Sequence, residues 1–182
     1  MKRNPPNSDH IPPDELRKRL DFSDQELLAE CDVDLYKASG PGGQHRNKVT
    51  SAVRLHHRPS GVLVIGTESR SQHENKARAL RRLREALALT FRAPLSAAPC
   101  WPETVHIRDR RLHVNPKNPA YFHVVALVLD ALAAKDGRLR AAADWLGLSS
   151  STIVRFLQEN RAALTEANRI RRHGGFGPLK SK

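Results

Sequence analysis

Several features are scarce in this sequence, and each scarcity argues against a class of protein. The chain has only two cysteines, Cys31 and Cys100, which lie far apart and outside any CxxC pair, so neither a disulfide framework nor a zinc site is expected. The longest apolar stretch, HVVALVLDALAA, is too short to span a bilayer and is interrupted by Asp130. The first fifteen residues lack the apolar core of a signal peptide. We therefore expect a cytoplasmic protein with no metal and no cofactor.

Acidic residues are also in the minority, and the charge is unevenly placed. The chain has 31 Lys and Arg against 19 Asp and Glu, which gives a formal net charge of +12. Residues 1–36 carry a net charge of −4, residues 37–92 carry +9 and residues 93–182 carry +7. The positive charge thus begins beside a glycine-rich stretch, and this distribution favours a polyanion as the partner. A basic surface that serves only solubility is the alternative.

Local patterns predict a small sheet and one packed helix in the first half of the chain. Residues 32–39 favour a strand, and alternating apolar residues predict two more strands on either side of the turn at PSG, residues 59–61. Ser23 with Glu26 three residues later is typical of a capping box at a helix start. Over residues 71–90, leucines recur at helical spacing among many Lys and Arg. This predicts a helix with one buried face and one basic face.

The second half of the chain is predicted to be helical. Three prolines within residues 93–102 interrupt the earlier pattern and indicate a boundary. Further on, AADWLGLSSSTIVRFL resembles a helix-turn-helix in which Gly147 permits the turn. Its second helix is not strongly basic, so RNA binding, DNA binding and a purely structural core all stay open. The predicted divisions are a disordered or loosely packed lead-in at 1–22, a first domain at 23–92, a linker at 93–118, a helical extension at 119–173 and a flexible basic tail at 174–182.

The glycine-rich stretch SGPGGQHRNK, residues 39–48, first suggests a phosphate-binding loop. A P-loop needs Ser or Thr directly after its lysine, and the dinucleotide fingerprint needs a third glycine where this sequence has His45, so both are excluded. Gly42 and Gly43 instead allow bare backbone to approach a ligand. Gln44 does not titrate, so it can only position water or donate hydrogen bonds to developing negative charge. A glycine turn that carries a surface glutamine is the alternative.

The flanks of this stretch carry a further pattern. SGPGGQHRNKVTSAVRL followed by GTESRSQHENKARALRRL, within residues 30–90, resembles the catalytic domain of class I peptide chain release factors, and most of all the codon-independent ribosome-rescue hydrolases. The resemblance implies an α+β fold with a small mixed sheet and a packed helix, here followed by the all-α extension. It also implies that water cleaves the peptidyl-tRNA ester in the peptidyl transferase centre. The implied catalytic residues are Gly42, Gly43 and Gln44, with the Gln44 backbone N–H at the oxyanion and its side chain orienting water.

The same resemblance implies partners and RNA contacts. The expected partners are the ribosome and peptidyl-tRNA, bound by a monomer with no membrane association. His45 is expected to pack within the domain or to contact RNA, with catalysis by its imidazole as the alternative. Arg46 departs from the apolar residue usual at its place. RDRR at 108–111 with Lys117 is a second candidate RNA patch, or only a polar linker. The predicted RNA-binding residues are His45, Lys48, Arg54, Arg70, Lys76, Arg78, Arg81, Arg82, Arg171 and Arg172.

The position of the loop bears on which reaction is expected. Only about 40 residues precede Gly42, and none of them resembles a codon-reading domain. We therefore expect codon-independent hydrolysis on stalled ribosomes. Two alternatives stay open: a nucleic-acid-binding regulator whose loop is not catalytic, and a hydrolase that acts on split large subunits.

Overall fold

The computed structural model describes residues 11–37 and 51–180, and its secondary structure is of the predicted α+β class. The chain divides into two compact units, Met1–Leu87 and Ala88–Lys182. The described elements are α1 (Pro13–Lys18), a 3₁₀ turn (Arg19–Asp21), α2 (Asp24–Ala29), β1 (Cys31–Tyr36), β2 (Ala52–His57), β3 (Val62–Gly66), α3 (Gln72–Thr90), β4 (His106–Arg108), β5 (Arg111–His113), α4 (Tyr121–Ala134), α5 (Leu139–Leu146), α6 (Ser150–Gln158) and α7 (Arg161–His173).

The sheet of the first unit has the strand order β1-β2-β3. Both pairings are antiparallel, with Leu55 of β2 opposite Val33 on one side and Val64 on the other. The expectation of a mixed sheet is therefore corrected for the described strands. The physical reason is that each strand returns directly beside its predecessor, whereas a parallel pair needs a long crossover connection.

The helix predicted over residues 71–90 is present as α3. Its side chains at helical spacing, including Leu80, Leu83 and Leu87, are buried, and Arg81 and Arg82 are exposed. The two strands predicted on either side of the PSG turn are present as β2 and β3. Local periodicity was therefore a sufficient signal for the main elements of this unit.

The N-terminal segment differs from the expected lead-in over its second half. Leu16 and Leu20 lie four residues apart on consecutive helical turns and are both buried. Arg84 of α3 donates hydrogen bonds to the backbone carbonyl oxygens of Leu20 at 3.1 Å and Phe22 at 2.7 Å. The capping box predicted at Ser23 is also present, since its hydroxyl accepts from the Glu26 N–H. These contacts attach residues 13–22 to the rest of the unit.

The second unit is built on the buried helix α4, which contacts α5 and α7. Gly147 caps the C-terminus of α5, and its φ of +68° is the left-handed conformation expected there. Ser149 caps the N-terminus of α6, where its hydroxyl accepts from the Thr152 N–H at 3.2 Å. Two helices joined by a short turn are thus present. Their assignment as a nucleic-acid-binding helix-turn-helix stays a prediction.

Two other segments form contacts that the sequence did not predict. The stretch predicted as a linker contains a two-stranded antiparallel ribbon, β4–β5. In the segment predicted as a flexible tail, the Leu179 N–H donates to Asn168 Oδ1 at 2.7 Å, and the Lys180 carbonyl accepts from Gln158 Nε2 at 2.8 Å. Within the described ranges, no helix has the length and hydropathy needed to cross a bilayer.

Candidate functional site

The predicted catalytic loop connects two neighbouring strand ends. Tyr36, the last residue of β1, is the register partner of Ala52, the first residue of β2. The segment between them therefore starts and ends at one end of the sheet. The residues predicted to act there, Gly42, Gly43, Gln44, His45 and Lys48, lie outside the described residues.

Asn75 on α3 holds the segment that follows the loop. Its side chain is fully buried, and its Nδ2 donates to the carbonyl oxygens of Ser51 at 2.7 Å and Ser69 at 2.8 Å. Its Oδ1 accepts from the Ser69 N–H at 2.8 Å. Leaving such a buried amide unpaired costs about 1–3 kcal/mol, so these bonds fix Ser51 and the β3–α3 connection to the helix. Sequence reasoning gave Asn75 no role in the site, because nothing local indicates a contact with a residue 24 positions away.

Gly66, the last residue of β3, allows the strand to pass close to α3. A Cβ placed there would lie 2.1 Å from the Asn75 carbonyl oxygen, which is closer than any real side-chain contact. Glycine is therefore required for this approach. The approach in turn brings the β3–α3 connection within reach of the Asn75 side chain.

Arg54 lies on the exposed face of β2 beside the end of β1. Its Nε and Nη2 donate to Asp34 Oδ2 at 3.1 and 3.0 Å, and its guanidinium lies 5.8 Å from the centre of the Tyr36 ring. Because Tyr36 is where β1 ends, the Arg54 charge is held close to the start of the predicted catalytic loop. An anion at that position would meet a guanidinium that is already oriented.

The exposed side chains Arg78, Arg81 and Arg82 form the basic face of α3, and two further predicted RNA-binding residues, Lys76 on the helix and Arg70 just before it, complete the set in this unit. Arg82 donates to Glu68 and to the Ile65 carbonyl, and Arg78 lies 3.9 Å from Glu68. The hydrogen bond from Arg82 lowers the pKa of Glu68 below its ordinary value. Both arginines are exposed, and exposed ion pairs contribute little, so a phosphate can exchange with Glu68. Of the remaining three, Arg70 and Arg81 are exposed and Lys76 is half-buried.

The last two predicted RNA-binding residues belong to the second unit. Arg171 donates to the carbonyl oxygens of Gly137 at 2.8 Å and Gly177 at 3.0 Å, and its guanidinium lies 5.4 Å from the centre of the Phe176 ring. Arg171 is thus engaged in holding the C-terminal segment. Arg172 is exposed.

A buried histidine forms a hydrogen-bonded group that the sequence did not reveal. His57 Nε2 lies 2.9 Å from Glu30 Oε2, and its Nδ1 lies 2.6 Å from Ser60 Oγ. Burial lowers the pKa of His57, and the hydrogen bond to Glu30 opposes this shift. The Ser60 hydroxyl also accepts from the Val62 N–H at 3.2 Å, so it is occupied within the β2–β3 turn. We interpret the group as a clasp that joins this turn to the residue preceding β1.

The described side chains offer no metal site: across residues 11–37 and 51–180, no group of three or more His, Cys, Asp or Glu could hold an ion.

Comparison with known proteins places residues 25–98 in the RF-1 domain family. Peptide chain release factor 1 of Gluconobacter oxydans is 54% identical over 65 residues, which is 36% of this chain and 18% of the relative. Peptide chain release factor 2 of Acidithiobacillus ferrooxidans is 54% identical over 59 residues, 32% of this chain and 16% of the relative. Peptide chain release factor 1 of Erythrobacter litoralis is 45% identical over 75 residues, 41% of this chain and 19% of the relative.

The matches confirm the predicted resemblance to the catalytic domain of class I peptide chain release factors: residues 25–98 match the RF-1 domain, and the relatives named above are peptide chain release factors 1 and 2. The matched region includes the glycine-rich stretch, α3 and all three strands of the sheet. The chain spans about a fifth of the length of the curated relatives it matches.

Proposed function

We propose that this protein hydrolyses the ester bond of peptidyl-tRNA on the ribosome without reading a stop codon, and so releases nascent peptides from stalled ribosomes. The observation that carries the proposal is the place of Gly42-Gly43-Gln44 within a matched RF-1 domain. That place is the connection between the paired ends of β1 and β2.

The proposed reaction needs no titrating side chain from the loop. The oxygen of water attacks the ester carbonyl carbon, the bond from that carbon to the tRNA ribose oxygen breaks, and the products are a peptide carboxylate and a tRNA with a free hydroxyl. In this scheme the Gln44 N–H donates to the oxyanion that develops, while the Gln44 side chain orients the water. The protons move through water and RNA groups.

The described residues would position the loop and bind RNA. Asn75 anchors the segment that follows the loop, and Arg54 places a cation where the loop begins. The basic face of α3 would contact RNA phosphates, with Arg78 and Arg82 exchanging Glu68 for a phosphate. Phosphate contacts fix position and orientation, which the reaction requires because its donors act only at short range.

Independence from the stop codon is the finer part of the proposal. Most of the second unit, Ala88–Lys182, lies beyond the matched region, and this unit has its own core and a positively charged sequence. We propose that this unit, including α5 and α6, binds ribosomal RNA. Glu159 directly follows α6, and Arg155 is its only basic residue, which makes DNA a poorer partner for this helix.

The central test is Gln44→Ala in a peptide-release assay on ribosomes that hold peptidyl-tRNA. Loss of a group that stabilises the transition state commonly costs about 100- to 1,000-fold in rate, so release should fall at least that far while cosedimentation with ribosomes stays nearly intact. Gln25→Ala, which changes an exposed glutamine of α2, is the matched control and should release at the normal rate. Hydrolysis retained in Gln44→Ala would contradict the mechanism.

A second experiment separates the proposal from its alternatives. Release should proceed on ribosomes with a truncated message as well as on those with a stop codon, and strict dependence on the stop codon would contradict codon independence. Activity on isolated large subunits but not on intact stalled ribosomes would favour the split-subunit hydrolase. Specific DNA retardation that survives physiological salt, with no hydrolysis, would favour the regulator.

A further inference from the structure

The ribbon β4–β5 of the second unit presents four basic side chains on one face. The register pairs His106 with His113 and Arg108 with Arg111, so the four residues point to the same side of the ribbon. All four are exposed, whereas the alternate residues Ile107 and Leu112 are half-buried. We define the ribbon face as His106, Arg108, Arg111 and His113.

The ribbon face is maintained at a cost to stability. Arg108 and Arg111 lie directly opposite one another, and like charges in that relation are destabilising. Within residues 11–37 and 51–180, neither arginine has an acidic partner. The turn adds a second cost, because Asp109 and Arg110 have φ values of +50° and +59°, where a two-residue hairpin normally places Asn-Gly. The pairing of Arg108 with Arg111 has no offsetting contact within those residues, and features that lower stability in this way are expected at functional sites.

Arg110 fastens the turn of the ribbon to the start of α6. Its carbonyl oxygen accepts from the Ser149 N–H at 3.0 Å and from Thr152 Oγ1 at 3.2 Å. Its Nη2 donates to the Leu148 carbonyl at 2.9 Å and to Asp144 Oδ1 at 3.0 Å. These bonds explain the unusual conformation of Arg110 and hold the ribbon in place. The arginines of the ribbon face are therefore presented by an anchored scaffold.

The first turn of α6 adds polar groups beside this scaffold. The exposed Ser151 has its hydroxyl 3.0 Å from that of Ser149, next to the Arg110 carbonyl. Arg155 lies one helical turn further along and is also exposed. Asp109 lies at the turn itself, and Asp144 is engaged by Arg110.

We propose that the ribbon face, with the exposed side of the first turn of α6, binds the phosphate backbone of structured RNA. Cross-strand neighbours have Cβ atoms about 4.5–5.5 Å apart, so two guanidinium groups can engage one or two adjacent phosphates. Arginine suits this role because its planar group donates two parallel hydrogen bonds to a phosphate. The choice of RNA over DNA rests on the proposed function. Phosphate binding by the ribbon face does not require that Gln44 act in hydrolysis.

The test is the salt dependence of binding by the full-length protein to a fluorescein-labelled RNA duplex, measured by anisotropy. Removing two phosphate contacts in Arg108→Gln/Arg111→Gln should reduce the slope of log K against log salt by about 2 between about 50 and 200 mM. The matched control is Arg138→Gln/Arg161→Gln, which removes the same charge from exposed positions of the same unit and should change the slope less. Arg108→Lys/Arg111→Lys should keep most of the slope.

Two kinds of result would contradict the proposal. An unchanged slope in Arg108→Gln/Arg111→Gln, or an equal loss in the control pair, would show that the ribbon face makes no specific contribution. Tighter binding to a DNA duplex of the same sequence, lost in the same variant, would assign the surface to DNA.

Two controls separate this surface from other causes. The melting temperature of Arg108→Gln/Arg111→Gln should equal or exceed that of the wild type, which excludes unfolding as the cause of lost binding. Gln44→Ala should leave the slope unchanged, so failure of the proposed function can be told apart from failure of this surface.

Discussion

At the scale of single residues, the described part of the site depends on buried polar groups that are fully paired. Asn75 and His57 both have no exposed surface, and each joins segments that are distant in sequence. Such groups specify one arrangement of the chain, because any other arrangement would leave a donor or acceptor without a partner. Their effects should appear both in stability and in the position of the loop.

Replacing Asn75 with Ala should affect both properties. The change leaves the Ser51 and Ser69 carbonyls and the Ser69 N–H without their partner, so the free energy of unfolding should fall by about 2–4 kcal/mol. In release assays at saturating ribosome concentration, kcat should fall because the loop has lost an anchor. Gln72→Ala, at an exposed position of the same helix, should lower stability by less than about 0.5 kcal/mol. A folded Asn75→Ala protein with normal kcat would show that the anchor is not needed for release.

The clasp at His57 should make stability depend on pH. Burial lowers the pKa of His57 below its ordinary value of 6.5, so the unfolded chain binds more protons than the folded one below that pH. The stabilisation is therefore complete above about pH 6.5 and is lost as the pH falls towards the lower, folded pKa. Urea denaturation between pH 7.5 and 5 should show this loss in the wild type and a flatter profile in His57→Gln. His73→Gln, at an exposed position of α3, is the control, and its profile should follow the wild type.

At the scale of elements, the site depends on how closely β3 approaches α3. Gly66→Ala would place a methyl group 2.1 Å from the Asn75 carbonyl oxygen, so the strand or the helix must shift. We expect a loss of about 3 kcal/mol or more in the free energy of unfolding, together with reduced release. Gly61→Ala is the matched control: its φ is +67° but its Cβ would meet open space, so about 1–2 kcal/mol is expected. Equal losses in the two variants would contradict the close-approach argument.

The elements also show how far the sequence determines the structure. Helix α3 and strands β2 and β3 follow from local periodicity, and the capping box at Ser23 follows from residue types at fixed spacing. The ribbon β4–β5 was not predicted from the sequence. Its turn has Asp-Arg where a glycine would be the usual signal, and its conformation is held by hydrogen bonds from α6. Asn75 was likewise not assigned to the site. In both cases the decisive partners are far away in sequence.

At the scale of the whole molecule, the two units carry different parts of the proposed function. The RF-1 match spans residues 25–98 and so covers most of the first unit, including the predicted catalytic residues. Residues 93–182, which belong to the second unit, carry a net charge of +7. If the second unit supplies RNA contacts, its removal should weaken binding to the ribosome more than it slows the chemical step. The measurement is steady-state release by the full chain and by a chain ending at residue 102, which retains all of α3.

For the shortened chain we expect KM to rise by at least about tenfold and kcat to change by less than about threefold. This is the result expected when the lost contacts stabilise the ground state and the transition state equally. Circular dichroism should first show that the shortened chain keeps its helix and sheet signal. A normal KM with a reduced kcat would mean that the second unit acts in catalysis itself. That result would contradict the division of roles proposed for the two units.

The pairing of Tyr36 with Ala52 also limits the reach of the predicted catalytic loop. Gln44 is eight residues from each of these partners, so it is the midpoint of the connecting chain. Eight residues span at most about 26–29 Å, which is the furthest that Gln44 can lie from the end of the sheet. Adding or removing one residue in either arm changes the loop-closure entropy by less than about 0.1 kcal/mol. The same change alters the reach of that arm by about 3.5 Å, which exceeds the length of a hydrogen bond. Folding would thus tolerate a change in the length of this loop that the geometry of the proposed ester hydrolysis would not.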